Sequence, residues 1–160
     1  TLYHHFLQHR HIATDTRKLT PGCIFFALKG GNFNGNQFAL QALEQGAAFA
    51  VVDELVDANN PRLLLVPDVL TALQQLANHY RCQLKIPVIA ITGSNGKTTT
   101  KELVSAVLSS HFKTSTTVGN LNNHIGVPLT LLAIPPDTEI AVVEMGANHQ
   151  KEIEGYCVYT

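Results

Sequence analysis

The stretch Ala90-Ile91-Thr92-Gly93-Ser94-Asn95-Gly96-Lys97-Thr98-Thr99-Thr100-Lys101 closes the apolar run Ile86-Pro87-Val88-Ile89-Ala90-Ile91. It reads as a strand, a glycine loop, a lysine, a hydroxyl and the start of a helix, which is the order that gripping a nucleoside triphosphate demands. Gly93 and Gly96 let the backbone turn tightly, so that the N–H groups of Gly93, Ser94, Asn95 and Gly96 point at phosphate oxygens. Lys97 supplies a compact positive charge for the outer phosphates, and the hydroxyl of Thr98, followed by Thr99, suits a magnesium ion. The helix that begins there adds its partial positive end. The commonest form of this motif has a glycine five residues before the Gly-Lys glycine, and here that position is Ile91. The strand before the loop and the helical spacing of Leu103, Val107 and Leu108 after it favour phosphate binding. The alternative is an ordinary strand-to-helix turn that uses the two glycines for geometry alone.

Around this motif lie 160 residues, 45% of them hydrophobic and 14% charged, enough for one domain or two small ones. A formal net charge of -1 and the lack of a basic stripe speak against a nucleic-acid partner. No apolar run nears the roughly 18–20 residues needed to cross a bilayer, and no leader pattern opens the chain, so neither a membrane nor secretion is expected. Cys23, Cys82 and Cys157 are odd in number and far apart. They fit small buried hydrophobes in a reducing cytoplasm better than a zinc site or a disulfide framework. His5 and His9 form an i, i+4 pair with metal-ligand spacing, but Asp15 is the one nearby acid, and a solvated helix face is the better expectation.

The rest of the chain alternates strand and helix. A short helix is expected from Leu2 to Leu7, then an apolar strand Cys23–Leu28 covered on both faces. A Gly/Asn-rich loop from Lys29 to Asn36 and a helix from Phe38 to Gln45 follow. Further strands are read at Ala48–Val52 and Leu63–Val66. Asp68 reads as the N-cap of a helix carrying Leu70, Leu73, Leu76, Ala77, Tyr80 and Leu84. A boundary is placed near residue 84, giving units 1–84 and 85–160. Beyond the glycine loop come a helix over Thr98–Ser110, a strand over Phe112–Thr116 and a polar loop over Thr117–His124. A helix opened by Pro128 and a buried strand Ile140–Val143 complete the reading. The fold class is α/β in both units, with mainly parallel sheets.

Glu144 ends the last of these strands, at the carboxyl end where ligands gather in open α/β sheets. There it could reach a magnesium ion held by Thr98 and phosphate oxygens, or it could be a helix cap. Asn120, Asn122 and Asn123 bring amides without charge. They suit a phosphate, a water shell or a substrate carbonyl, and equally suit turns that satisfy their own backbone.

Taken together, Ile91–Thr99, Gly119–Leu132 (Gly-Asn-Leu-Asn-Asn-His-Ile-Gly-Val-Pro-Leu-Thr-Leu-Leu) and Glu144-Met145-Gly146-Ala147-Asn148-His149-Gln150 resemble the Mur ligases of bacterial cell-wall synthesis. Thr14–Cys23 and Phe26–Gly30 are similar to the uridine-nucleotide-binding domain of those enzymes. The resemblance is nearest to the family member that uses ATP and Mg2+ to add D-Ala-D-Ala to UDP-N-acetylmuramoyl-tripeptide through an acyl phosphate. It implies a small N-terminal UDP-substrate domain followed by the first part of a P-loop ATPase domain, in a cytoplasmic enzyme monomeric at full length. It further implies that Lys97 stabilises the β/γ oxygens, that Gly93–Thr99 wrap the phosphates and that Thr98 and Glu144 bind magnesium. Asn122 and Asn123 would lie by the transferred phosphate or the peptide carboxylate. Thr16, Arg17, Lys29 and Gly30 would meet the uridine diphosphate, to which a guanidinium fork can make two bonds at once.

The family often reads Asp-Gly-His where this chain has Asn34-Gly35-Asn36, and glycine where it has Lys151. In the family the central domain continues past the equivalent of Thr160, with a histidine magnesium ligand, a modified lysine, the adenine pocket and a third domain. Residues 1–160 alone are therefore expected to hold a UDP-sugar, to bind ATP weakly or not at all, and not to ligate. The rivals are a tripeptide-forming Mur ligase, a folyl-polyglutamate synthetase and a non-catalytic nucleotide-binding module. A small kinase or GTPase would need an Asn-Lys-x-Asp or an arginine-rich lid that the chain lacks.

Overall fold

The computed structural model describes residues 1–160. The chain divides into two compact units, Thr1–Leu76 and Ala77–Thr160, with the division inside helix α3 (Val69–Gln83). Both are α/β, and their main sheets are parallel, as the alternation of elements predicts.

In the first unit, strand β1 (Ile12–Ala13) pairs with β2 (Ile24–Phe26), β2 with β5 (Phe49–Val52), and β5 with β6 (Leu63–Leu65). Cys23, Phe25 and Ala27 cluster with Ala39, Ala42 and Leu43 of helix α2 (Ala39–Glu44). Ile24 and Phe26, which point the other way from β2, are equally buried. This two-sided cover is why the run is continuously apolar rather than alternating. Asp68 accepts a bond from the backbone N–H of Thr71 at 2.7 Å and caps α3.

Three local readings are corrected here. Of the three cysteines only Cys23 is buried, and Cys82 and Cys157 are exposed. Lys29–Asn36 is not plain loop: β3 (Lys29–Gly30) and β4 (Phe33–Asn34) form an antiparallel hairpin, followed by a 3-10 turn over Gly35–Phe38. Strands of two residues are too short to show a period of two. On helix α1 (Leu2–Gln8), His5 is not on a solvated face. Its ring lies 4.1 Å from that of Phe49, and His9 Nδ1 is 2.9 Å from the Gly22 carbonyl. Burial pushes the His5 imidazole below its ordinary pKa.

In the second unit the strand order is β7 (Val88–Ile91), β9 (Ile140–Glu144), β8 (Thr114–Thr116), all parallel. Helices α4 (Lys97–Ser109), α5 (Gly126–Leu132) and α6 (Glu152–Cys157) complete it. Helix α5 starts two residues before Pro128, because Asn123 Oδ1 accepts from the N–H groups of Ile125 and Gly126 at 3.1 and 2.8 Å. Pro128 stays within the first turn, where its missing N–H is no loss. The apolar spacing on α4 does not mark its inner face: Leu103 and Val107 are 65% and 72% exposed, and the buried residues of α4 are Lys101 and Ser105. No helix of either unit is long and apolar enough to cross a membrane.

Candidate functional site

The glycine loop leaves the carboxyl end of β7. Gly93 and Gly96 take φ of +150° and +74°, backbone that L side chains avoid, and Gly96 is the N-cap of α4. Ser94, Asn95, Thr98 and Thr99 are exposed around this corner. Lys97 curls back over the loop, its Nζ donating to the Gly93 carbonyl at 2.6 Å.

The neighbouring strand end carries Glu144, paired in register with Ile91 and only 1% exposed. The Met145 N–H donates to the Ile91 carbonyl at 2.8 Å and ties the two strand ends together. Glu144 Oε1 accepts from the Thr98 hydroxyl at 3.2 Å and from Asn122 Nδ2 at 2.8 Å. The Glu144 N–H donates to Thr117 Oγ1 at 2.9 Å. Glu144 Oε2 is buried and accepts no hydrogen bond.

These groups fit a magnesium ion. No three His, Cys, Asp or Glu side chains converge as a dedicated metal cage. Magnesium seldom needs one, being held by one or two carboxylates together with phosphate oxygens and waters. A threonine hydroxyl and a carboxylate oxygen side by side, Thr98 Oγ1 and Glu144 Oε1, are a donor set of that kind. Of the residues proposed from sequence, Gly93, Gly96, Lys97, Thr98, Asn122 and Glu144 meet at this corner. Asn123 is engaged differently, with its oxygen capping α5, so the two amides that sequence left undecided do separate jobs.

The candidate uridine-diphosphate residues lie in the first unit. Arg17, whose side chain is 85% exposed, donates through Nε to Asp15 Oδ1 at 2.9 Å and through a terminal nitrogen to Asp15 Oδ2 at 2.7 Å. Those bonds pull the Asp15 carboxyl down to about 2. Thr16 opens the 3-10 turn that Asp15 caps. Lys29 bridges Asp53 Oδ1 and Glu54 Oε1, both at 2.8 Å, which raises its pKa. Lys29 and Gly30 border a cleft of about 360 Å3 shared with Phe33, Gln37 and Glu54. Phe33 is half exposed there and stacked on Phe38, with ring centroids 5.3 Å apart.

Sequence reasoning left Asn36 without a role and passed over Asp53, Phe33 and the burial of Lys101. Asn36 is buried, its Nδ2 donating to Asn34 Oδ1 and Asp53 Oδ1 and its Oδ1 accepting from the Asp53 N–H. This gives the Asn34-Gly35-Asn36 departure a structural role. Asp53 carried a usable signal, an acid closing an apolar strand, the same pattern that singled out Glu144. Phe33 and the buried Lys101 carried none that separates them from an ordinary surface phenylalanine and lysine.

Two family models match the chain. The Mur ligase family catalytic domain matches residues 9–81, and the Mur ligase middle domain matches residues 91–159. The UDP-N-acetylmuramoyl-tripeptide–D-alanyl-D-alanine ligase of Bacillus subtilis (strain 168) is 51% identical over 145 residues, covering 89% of this chain and 32% of that protein. The ligase of the same name from Escherichia coli (strain K12) is 50% identical over 142 residues, covering 89% of this chain and 31% of that protein. The chain thus spans about a third of the length of the curated relatives it matches. Among solved structures, MurF from Acinetobacter baumannii superposes with a TM-score of 0.85 at 44% identity, over 91% of this chain and 32% of that one. MurF from Thermotoga maritima in complex with ADP gives a TM-score of 0.83 at 32% identity, over 94% and 35%. Matched by the family's domains in both halves, at these identities and with this shared fold, the chain belongs to the Mur ligase family.

Proposed function

We propose that this chain carries the UDP-substrate unit and the first part of the ATP-handling unit of a cytoplasmic ligase that joins D-Ala-D-Ala to UDP-N-acetylmuramoyl-tripeptide in peptidoglycan synthesis. The names of its relatives support the substrate pair. The observation that carries the chemistry is the meeting of Lys97, Thr98 and the buried, half-satisfied Glu144 carboxylate at the ends of two parallel strands.

Such a ligase transfers the γ-phosphoryl group of ATP to a carboxylate, releasing ADP and giving an acyl phosphate, and an amine then attacks the acyl carbon, expelling phosphate and losing a proton to leave the amide. The protein's task is to hold the reactants in line and to neutralise moving charge. ATP with Mg2+ supplies the phosphoryl group and draws charge from its oxygens. The amides from Gly93 to Gly96 wrap the phosphates. Lys97 exchanges the Gly93 carbonyl for a phosphate oxygen. Thr98 and Glu144 offer the metal a hydroxyl and a carboxylate, and Asn122 holds that carboxylate by its Oε1. Asn123, with its oxygen committed to α5, has its amide nitrogen to offer a phosphate or the peptide carboxylate. Thr16, Arg17, Lys29 and Gly30 take the uridine diphosphate, Arg17 being presented by Asp15.

Amide NMR of the 15N-labelled chain tests this reading, because it registers millimolar binding. Mg·ATP should shift the resonances of Gly93–Thr98, and UDP-N-acetylmuramoyl-tripeptide those of Thr16, Arg17, Lys29 and Gly30. Lys97→Ala should abolish the first set and spare the second. Mg·ATP shifts that survive Lys97→Ala would reject the cradle.

A further inference from the structure

The second unit buries a lysine one turn beyond the loop. Lys101 has a side chain only 1% exposed. Its Nζ donates to the Thr117 carbonyl at 2.7 Å, meets Glu102 Oε1 at 2.9 Å and stands 4.0 Å from Glu144 Oε2. Burying an ammonium is costly unless its donors and its charge are met. The Thr117 carbonyl and Glu102 use two of its three donors. The approach to Glu144 Oε2 is too long for a hydrogen bond. It is well within the range of charge attraction, which is strong where water is excluded.

The same geometry seen from Glu144 is complementary. Oε1 is saturated by Thr98 and Asn122, whereas the buried Oε2 accepts nothing. Thr117 joins the two residues, its carbonyl taking Lys101 and its hydroxyl the Glu144 N–H. We propose that Lys101 is the positioning residue of this corner. Its buried ammonium, anchored on Thr117, is the internal counter-charge that keeps the Glu144 carboxylate inside the fold with Oε1 turned to Thr98 and Asn122. Lys97 handles the ligand from outside, and Lys101 holds the ligand-binding carboxylate from behind. A methionine of similar length would fill the space and leave the carboxylate unbalanced.

The test is a four-variant comparison of thermal melting: the unsubstituted chain, Lys101→Met, Glu144→Gln and the double variant. Each single change breaks a buried pair and should lower the melting temperature by about 6 °C or more. The double variant removes both charges and should melt well above the sum of the single losses, close to Glu144→Gln alone. Additive losses, or a Lys101→Met protein that melts like the unsubstituted chain, would overturn the proposal. If Lys101→Met alone does not fold, recovery of a cooperative transition in the double variant is the same positive result, and its absence the negative one.

A second arm rests on the nucleotide reading given above. In the NMR titration, Lys101→Met should raise the Mg·ATP concentration at half-saturation at least tenfold, although Lys101 is buried beneath the site. An unchanged titration means that the residue only fills space. If the unsubstituted chain shows no response to Mg·ATP, residues 1–160 alone do not take up the nucleotide, as the family resemblance allows, and the Lys101–Glu144 pairing is decided by the melting comparison alone.

Discussion

Thr98 and Glu144 are 46 positions apart, and the Thr98 hydroxyl donates to Glu144 Oε1 across 3.2 Å. The parallel register that sets Ile91 beside Glu144 brings them there, together with the left-handed Gly96 that starts α4 immediately after the loop. A hydroxyl in that place can serve the carboxylate or a metal, and the two uses predict different consequences. Thr98→Ala should weaken Mg·ATP binding about tenfold or more, equivalent to about 1.4 kcal/mol. Thr98→Ser keeps the hydroxyl and should stay close to the unsubstituted titration. Without nucleotide, loss of one hydrogen bond should lower stability by about 1 kcal/mol in Thr98→Ala. NMR titration and denaturant unfolding of the same two variants separate these effects. Equal Mg·ATP titrations for the alanine and serine variants would remove Thr98 from the metal site.

Asn36 and Asp53 predict a loss confined to the first unit. Asn36 gives Asp53 Oδ1 a bond at 2.8 Å and takes one from its N–H at 3.1 Å, while Lys29 holds the same carboxylate oxygen at 2.8 Å. Asn36→Ala leaves a buried N–H and a carboxylate oxygen short of a partner, and should cost about 2 kcal/mol or more. Asn36→Asp adds a like charge beside Asp53 and should cost more still. Urea unfolding followed by amide signals of the first unit measures both. An Asn36→Asp protein as stable as the unsubstituted one would show that the network is dispensable.

Acid should unfold the first unit progressively below about pH 4. Bonds from Arg17 hold Asp15 at about 2, against an ordinary 3.8. For Asp53, burial pushes the pKa up, but bonds from Lys29, Asn36 and the Val69 N–H outweigh it and leave the carboxyl below 3.8. Glu54, bonded to Lys29 and Asn34, and Asp68, bonded to Thr71, are lowered as well. A carboxyl with a depressed folded pKa stabilises fully above its unfolded pKa, and loses that contribution as pH falls through the folded one. The melting temperature should therefore slip slightly from about pH 6, where His5, held below its ordinary pKa in the fold, takes a proton more readily in the unfolded chain, and fall steeply between about pH 4 and pH 2. Asp15→Asn should flatten part of the steep fall, and a curve with no steep fall below about pH 4 would show that these carboxylates contribute nothing.

Much of this architecture was legible in the chain because the relevant signals are local. Cys23–Leu28 announces a strand covered on both faces by being apolar at every position. Asp68 announces a cap, and Gly93 to Thr98 a turn with a charge and a hydroxyl. Glu144 was legible as well, as an acid at the end of an apolar strand. What stayed hidden depends on partners far away in sequence. On α4 the apolar spacing of Leu103 and Val107 pointed to the wrong face, because the inner positions belong to Lys101 and Ser105. Those two are satisfied by the Thr117 carbonyl and the Thr116 hydroxyl of the β8 end. Asn122 and Asn123 were indistinguishable as letters and differ only in what each side chain reaches.

Lys151 supplies the last prediction. Its φ of +68° and ψ of 2° make it the one non-glycine residue in left-handed backbone, at the N-cap of α6, with no side-chain capping bond. The turn is held from the next residue: Glu152 Oε2 accepts from the N–H groups of Asn148 and His149 at 2.7 and 3.1 Å, which lowers the Glu152 pKa. Left-handed backbone costs a residue with a Cβ about 1–2 kcal/mol. Glycine avoids that cost but gives back part of it through the greater freedom of the unfolded chain. The position is also one at which the family resemblance places a glycine. Lys151→Gly should therefore stabilise the second unit by about 0.5–1 kcal/mol. Lys151→Ala keeps the strain and should change little. Denaturant midpoints of the two variants, read from amides of the second unit, decide the matter. If the glycine variant is no more stable than the alanine variant, the left-handed turn carries no strain for glycine to relieve.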